Sequence, residues 1–172
     1  MAIYFIDSSA LVKRYISETG SAWVLELFDP TLNNEIFIAA ITGVEIIAAI
    51  TRRSRSGSIS ITDATITRNQ FRRDLQKDYQ IIEITESVIN YGMALSEIYG
   101  LRGYDAIQLA AGRAVNTLCI ANGLPSITFV SADNKYHDRI SNVGCVVAKR
   151  NAPSLYQQAI ASLPYLSQSN AA

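Results

Sequence analysis

Five short runs dense in Ile, Val and Phe punctuate the chain: "AIYFI" at 2–6, "EIFIA" at 35–39, "QIIEI" at 80–84, "ITFV" at 127–130 and "GCVVA" at 144–148. They are too short for helices and apolar almost throughout, the pattern of strands covered on both faces. The segments between them have helical spacing. "TGVEIIAAITRR" predicts a face of Val44, Ile47, Ile50 and Thr51, and "ESVINYGMALSEIYG" a face of Val88, Tyr91, Gly92, Leu95 and Ile98 that stops at Gly100 as C-cap. "YDAIQLAAGRAV" reads as a helix with Asp105 at its start and Ala110, Ala111, Gly112 and Ala114 along its body, small enough to let neighbours lie close. In "RSRSGSISITD", a turn gives way to a helix opened by Thr62 or Asp63. Strands alternating with helices imply an α/β fold, a parallel sheet between helical layers.

At 172 residues the chain has the size of one domain. We expect an α/β domain over residues 1–150, with 151–172 a short helix and frayed tail of the same domain. Hydrophobic residues at 49% and charged residues at 17% exclude a disordered chain. No apolar stretch approaches the ~20 residues of a membrane span, and the apolar start meets Asp7 too soon for a signal peptide, so a cytoplasmic location is expected. Cys119 and Cys145 lie far apart in apolar contexts, with a lone His137 elsewhere, as buried free thiols do. The net charge of zero hides an asymmetry: residues 52–77 hold seven basic side chains (Arg52, Arg53, Arg55, Arg68, Arg72, Arg73, Lys77) against Asp63 and Asp74, a balance of 7 − 2 = +5.

Four acids fall at one edge of such a sheet. Asp7 ends the first strand, Glu45 lies in the first turn or so of the helix after the second, Asp105 begins the small-residue helix, and Asp133 follows the fourth strand in "FVSADNKY". Each has an ordinary use: Asp7, Asp105 and Asp133 as helix N-caps, Glu45 as a first-turn acid favoured by the helix dipole. Yet Glu45 sits among Val44, Ile46, Ile47 and Ala48, where an acid is rarely buried without a partner. Ligands of open α/β sheets bind at the carboxyl ends of the strands. Two like charges about 4 Å apart repel by roughly 4 kcal/mol at an effective dielectric near 20, so converging acids must take up protons or cations. Oxygen ligands without His or Cys suit Mg²⁺ or Mn²⁺, and Mg²⁺ held by a few acids typically meets a phosphate. Ser8 and Ser131 are placed to orient ligands or substrate.

Around these acids, "FIDSSALVKRY", "ITGVEIIAAI", "LRGYDAIQLAAG" and "FVSADNKY" resemble the PIN-domain ribonucleases, most closely the VapC-type toxins of prokaryotic toxin–antitoxin pairs, over about residues 1–148. The resemblance implies a five-stranded parallel sheet ordered 3-2-1-4-5 in an α/β/α sandwich, endonucleolytic cleavage of RNA with Mg²⁺ or Mn²⁺, homodimerisation and inhibition by a cognate antitoxin. It makes Asp7, Glu45, Asp105 and Asp133 both catalytic and metal-holding, with Ser131 matching the family's Ser or Thr two residues before the fourth acid. The chain departs from the pattern in its tail from about residue 151 and in its extended basic middle. The "D-x-D" of aspartyl-phosphate phosphatases is absent, since Ser9 stands two beyond Asp7, and receiver domains are excluded because Thr85, not Asp, follows "QIIEI".

A polyanion would be drawn to the basic segment, with Arg52, Arg53 and Arg55, and to Lys13 and Arg14 near Asp7. The same charges can line solvated helix faces, as Phe71 and Leu75 at i, i+4 in "RNQFRRDLQKDY" suggest, or dock an antitoxin. Trp23 and the tyrosines are scattered as core residues are, and Tyr104 stands out only by its place beside Asp105. Two further readings stand beside the toxin nuclease: a non-catalytic PIN-like scaffold binding RNA or protein, and a free-standing RNA-processing PIN nuclease.

Overall fold

The computed structural model describes residues 1–133 and the backbone of a strand at 146–148. Cys145, His137 and the expected helix and tail at 151–172 lie outside the described residues. In chain order the elements are β1 (Ile3–Ile6), α1 (Ser8–Tyr15), α2 (Ser21–Glu26), a 3₁₀ turn (Pro30–Leu32), β2 (Glu35–Ala39), α3 (Ala40–Arg55), α4 (Ile61–Leu75), β3 (Gln80–Ile82), α5 (Glu86–Tyr99), α6 (Gly103–Ala121), β4 (Thr128–Val130) and β5 (Val146–Ala148). All strand pairs are parallel, in the order β3-β2-β1-β4-β5. This is the expected α/β architecture and strand order.

β1 is the centre, and its alternation divides the interior. Ile3 and Phe5 face a layer built from α5 and α6, with Val88, Leu95, Leu109, Ala110 and Val115. Tyr4 and Ile6 face a layer from α1, α3 and α4, with Leu11, Ile46, Ile50 and Phe71. On the first side the Phe5 and Phe129 rings stack with centroids 5.3 Å apart, and Gly112 of α6 lies against them: a Cβ there would stand 2.7 Å from Phe129 Cδ2. The small-residue helix is thus explained by close approach to an aromatic pair.

Local chemistry sets the ends of several elements. Gly100 ends α5 at φ 60°, the left-handed C-cap that glycine adopts without strain. α4 opens at Ile61, ahead of both Thr62 and Asp63: Ser60 accepts from Asp63 N at 3.0 Å and its hydroxyl donates to Asp63 Oδ2, a reciprocal cap that needs a small hydroxyl before the first turn. The face of α3 differs from the sequence expectation. Thr42, Ile46 and Ile50 are buried and Val44 is 66% exposed, because α3 continues from β2 without a loop and the strand sets its rotation. Ile98, in the last turn of α5, is 70% exposed rather than part of the buried face.

The order of the chain reverses between β1 and β4: β1, β2 and β3 run outward to one edge, and β4 and β5 to the other. The carboxyl ends of β1 and β4 therefore flank the crevice where such sheets hold ligands.

Candidate active site

Asp7 stands at that crevice, with its backbone N–H donating to Val130 O at 3.0 Å and so extending the β1–β4 pairing by one residue. It is also the N-cap of α1: Ala10 N donates to Oδ1 at 2.9 Å, joined by the Ser9 hydroxyl at 2.7 Å. Capping and placement at the sheet edge are both true of this residue. The carboxyl is 2% exposed. Burial pushes it up to about 6, the neighbouring Glu45 charge pushes the same way, and hydrogen bonds from Ser131, Ser9 and Ala10 hold it back.

Ser9 ties the two strand ends together. Its hydroxyl oxygen lies 3.3 Å from Ser131 Oγ and accepts from Ala132 N at 2.9 Å, while Asp133 N donates to Ser131 Oγ at 3.1 Å. The loop carrying Asp133 is thereby pinned to the residue that holds Asp7. Ser8, the other hydroxyl of "DSS", donates to Glu45 Oε2 at 2.9 Å, linking α1 to α3. Glu45 is half-buried in the second turn of α3 and also accepts from Gln108 Nε2 at 2.7 Å. Asp105 lies in the first turn of α6, three residues before Gln108 and so on nearly the same helix face; the N-cap of α6 is Arg102. Tyr104 beside it is 63% exposed.

Asp7 and Glu45 are thus brought into electrostatic contact, whereas among the described residues no three His, Cys, Asp or Glu side chains form a group that could hold a metal ion. Asp105 and Asp133 stand at the same sheet edge without closing such a group. What the described donors offer is hydroxyl, amide and carboxylate oxygen, the chemistry of a hard cation.

A model of the PIN domain family matches residues 4–138. The chain belongs to the PIN domain family. Ribonuclease VapC45 of Mycobacterium tuberculosis is 26% identical over 148 residues, spanning 86% of this chain and 96% of that protein. Among solved structures, VapBC2 from Rickettsia felis, bound to a DNA fragment from its promoter, matches with a TM-score of 0.55 at 19% identity, covering 86% of this chain and 98% of that one. A toxin-antitoxin complex from Klebsiella pneumoniae matches with a TM-score of 0.54 at 17% identity, over 86% and 96%. These two share the PIN fold with the chain.

Within this PIN fold Lys13 and Arg14, which follow Asp7 on α1, are both paired. Lys13, 6% exposed, pairs with Glu18, which also pairs with Arg53. Partial burial raises the Glu18 carboxyl, but the hydrogen bond and charge of Lys13, then the charge of Arg53, hold it below its ordinary value. Arg14 donates to Tyr79 Oη at 2.7 Å and to Asp78 Oδ2 at 2.5 Å, with its guanidinium 4.0 Å from the Phe28 ring centroid. Lys13 and Arg14 are thus both engaged in ion pairs within the protein. The Arg14–Asp78 and Arg53–Glu18 pairs join segments 64 and 35 residues apart, which no local pattern reveals, whereas Lys13 reaches Glu18 only five residues on. Arg52 and Arg55 remain exposed at the end of α3. Trp23 packs half-buried against the α1–α4 core, and Cys119 is a buried free thiol.

Three contributors went unassigned in the sequence: Ser9, Gln108 and Thr42. Gln108 carried a readable signal, a polar residue between Ile107 and Leu109 in an apolar helix, the same signal that singled out Glu45.

Proposed function

We propose that the chain is an endoribonuclease, hydrolysing RNA phosphodiester bonds with Mg²⁺ or Mn²⁺ and acting in the cytoplasm as the toxin of a toxin–antitoxin pair. The observation that carries this reading is the buried carboxyl of Asp7, held by Ser9 and Ala10 at the crevice between β1 and β4 and coupled to Glu45, in a chain of the PIN family. Burial and the neighbouring Glu45 charge penalise the charged form of Asp7, so the site favours a positive ligand. Asp7, Glu45, Asp105 and Asp133 are the residues that would hold it. When bound, a divalent cation supplies charge neutralisation at the phosphodiester and a more acidic water.

The remaining work belongs to the protein. Ser9 and Ala10 N fix Oδ1 of Asp7, Ser8 fixes Oε2 of Glu45, and Ser131 holds the turn that leads to Asp133. Arg52 and Arg55 are exposed to meet the phosphate backbone. An antitoxin partner is supported by the solved relatives, one a toxin-antitoxin complex and another VapBC2. Homodimerisation belongs to the same reading.

The test is incubation of the purified chain with a mixed structured RNA pool plus Mn²⁺ or Mg²⁺, against EDTA and against Asp7→Asn. Cleavage that needs the cation and falls by at least about a hundredfold in the variant is the expected result. A folded, inhibitor-free protein that cuts nothing under either cation would instead support the non-catalytic scaffold.

A further inference from the structure

The Glu45 carboxylate is gripped by one oxygen. Ser8 Oγ and Gln108 Nε2 both donate to Oε2, at 2.9 and 2.7 Å, and Oε1 receives no hydrogen bond from the described residues. Gln108 is 2% exposed, and its amide also donates to Thr42 Oγ1 at 2.9 Å; Thr42 is fully buried on α3, one turn before Glu45. The Thr42 hydroxyl lies 3.3 Å from Gln108 Oε1 in return. Only one orientation of the amide works here, since its carbonyl turned toward Glu45 would set an acceptor against a carboxylate oxygen. A buried amide and a buried hydroxyl are costly unless paired, and this pair leads to an acid at the site.

We infer that Gln108, locked by Thr42, is a positioning residue that fixes the Glu45 carboxylate so that Oε1 is the oxygen offered to a divalent cation. The inference rests on the cation-dependent reading above. Without the Nε2–H donor the Glu45 side chain regains rotamers, and Oε2 competes with Oε1 as ligand. Thr42 acts only through Gln108, so its loss matters only while the amide is present.

Mn²⁺ binding to the full chain, without RNA, tests this by titration calorimetry and by the loss of the free-Mn²⁺ electron paramagnetic resonance signal. Gln108→Met keeps length but donates nothing, and is expected to weaken Mn²⁺ binding about tenfold, the usual scale for groups that orient a metal ligand. Thr42→Val is expected to weaken it in the same direction, Thr42→Ser to restore the wild-type value, and Thr42→Val to add nothing in the Gln108→Met background. If Gln108→Met does not fold, the Thr42 pair alone decides. Wild-type affinity in folded Gln108→Met or in Thr42→Val overturns the inference while leaving the nuclease reading in place. A wild-type protein that takes up no Mn²⁺ overturns the cation-dependent reading itself, and this inference with it.

Discussion

Asp7 does two jobs that pull against each other. As an N-cap it accepts from Ala10 N and stabilises the first turn of α1, which any Asp, Asn or Ser would do. As a carboxylate buried beside Glu45 it resists ionisation, and its value of about 6 in the folded chain lies above the ordinary 3.8. The folded state therefore holds a proton that the unfolded chain releases between those values. Stability from this group is fully present below about pH 4 and lost as pH rises through about 6, a decline of roughly 3 kcal/mol in the absence of divalent cation. Asp7→Asn keeps the cap and carries no charge. We expect the variant to be more stable than wild type in EDTA at pH 7 to 8 by up to about 3 kcal/mol, with the gap closing toward pH 4. Urea unfolding across that range checks it, and parallel pH profiles for the two proteins would show that the carboxylate bears no such penalty. The position of Asp7 was legible in sequence because a strand end and a cap are local features. Its burial was not, because it depends on β4 and α3 closing around it.

Among the elements, α6 shows why a helix can be rich in small residues for reasons unconnected with catalysis. Gly112 is where the helix meets the stacked rings of Phe5 and Phe129, and a Cβ would stand 2.7 and 2.9 Å from ring atoms of Phe129 and 3.3 Å from Phe5. Both rings are fully buried and cannot swing aside freely. Gly112→Ala gains about 1 kcal/mol of helix propensity but forces this repacking, and we expect a net loss of about 1 to 2 kcal/mol in thermal or urea unfolding. A stabilised variant would mean that the ring pair relaxes more easily than its packing implies. The same helix positions Gln108, so its close seating on the sheet also sets the distance from α6 to Glu45. The α3 face illustrates the opposite case: its apolar residues cover more than one stripe, and direct continuation from β2 selects Thr42, Ile46 and Ile50 for burial.

Across the whole molecule the charge balance is zero, and among the described residues the basic side chains differ in how they are engaged. Lys13 and Arg53 pair with Glu18, and Arg14 with Asp78 and Tyr79, whereas Arg52, Arg55, Arg72, Arg73 and Lys77 are exposed, Arg72 and Arg73 with hydrogen bonds to Asn69 and Gln70. If Arg52 and Arg55 meet RNA phosphates, replacing each with Ala is expected to lower affinity for single-stranded RNA without changing sequence preference, and to reduce the salt dependence of binding by about 0.7 for each phosphate no longer neutralised. Binding measured against salt concentration checks this, and unchanged slopes would assign these residues to solvated surface. Among the described residues no helix is long and apolar enough to cross a membrane. By itself, the sequence determined the alternation of strands and helices, the Gly100 stop of α5 and the acids at strand and helix starts, because periodicity and capping act over a few neighbouring residues. The family likeness of its motifs added the strand order. Tertiary structure alone decided which face of α3 is buried, which cations are paired, and that Ser9, Thr42 and Gln108 hold the two coupled acids. The contacts of Glu45 with Ser8 and Gln108, of Gln108 with Thr42, and of Arg14 with Asp78 join residues 37 to 66 positions apart, and only the packing of whole elements brings such residues within hydrogen-bonding distance.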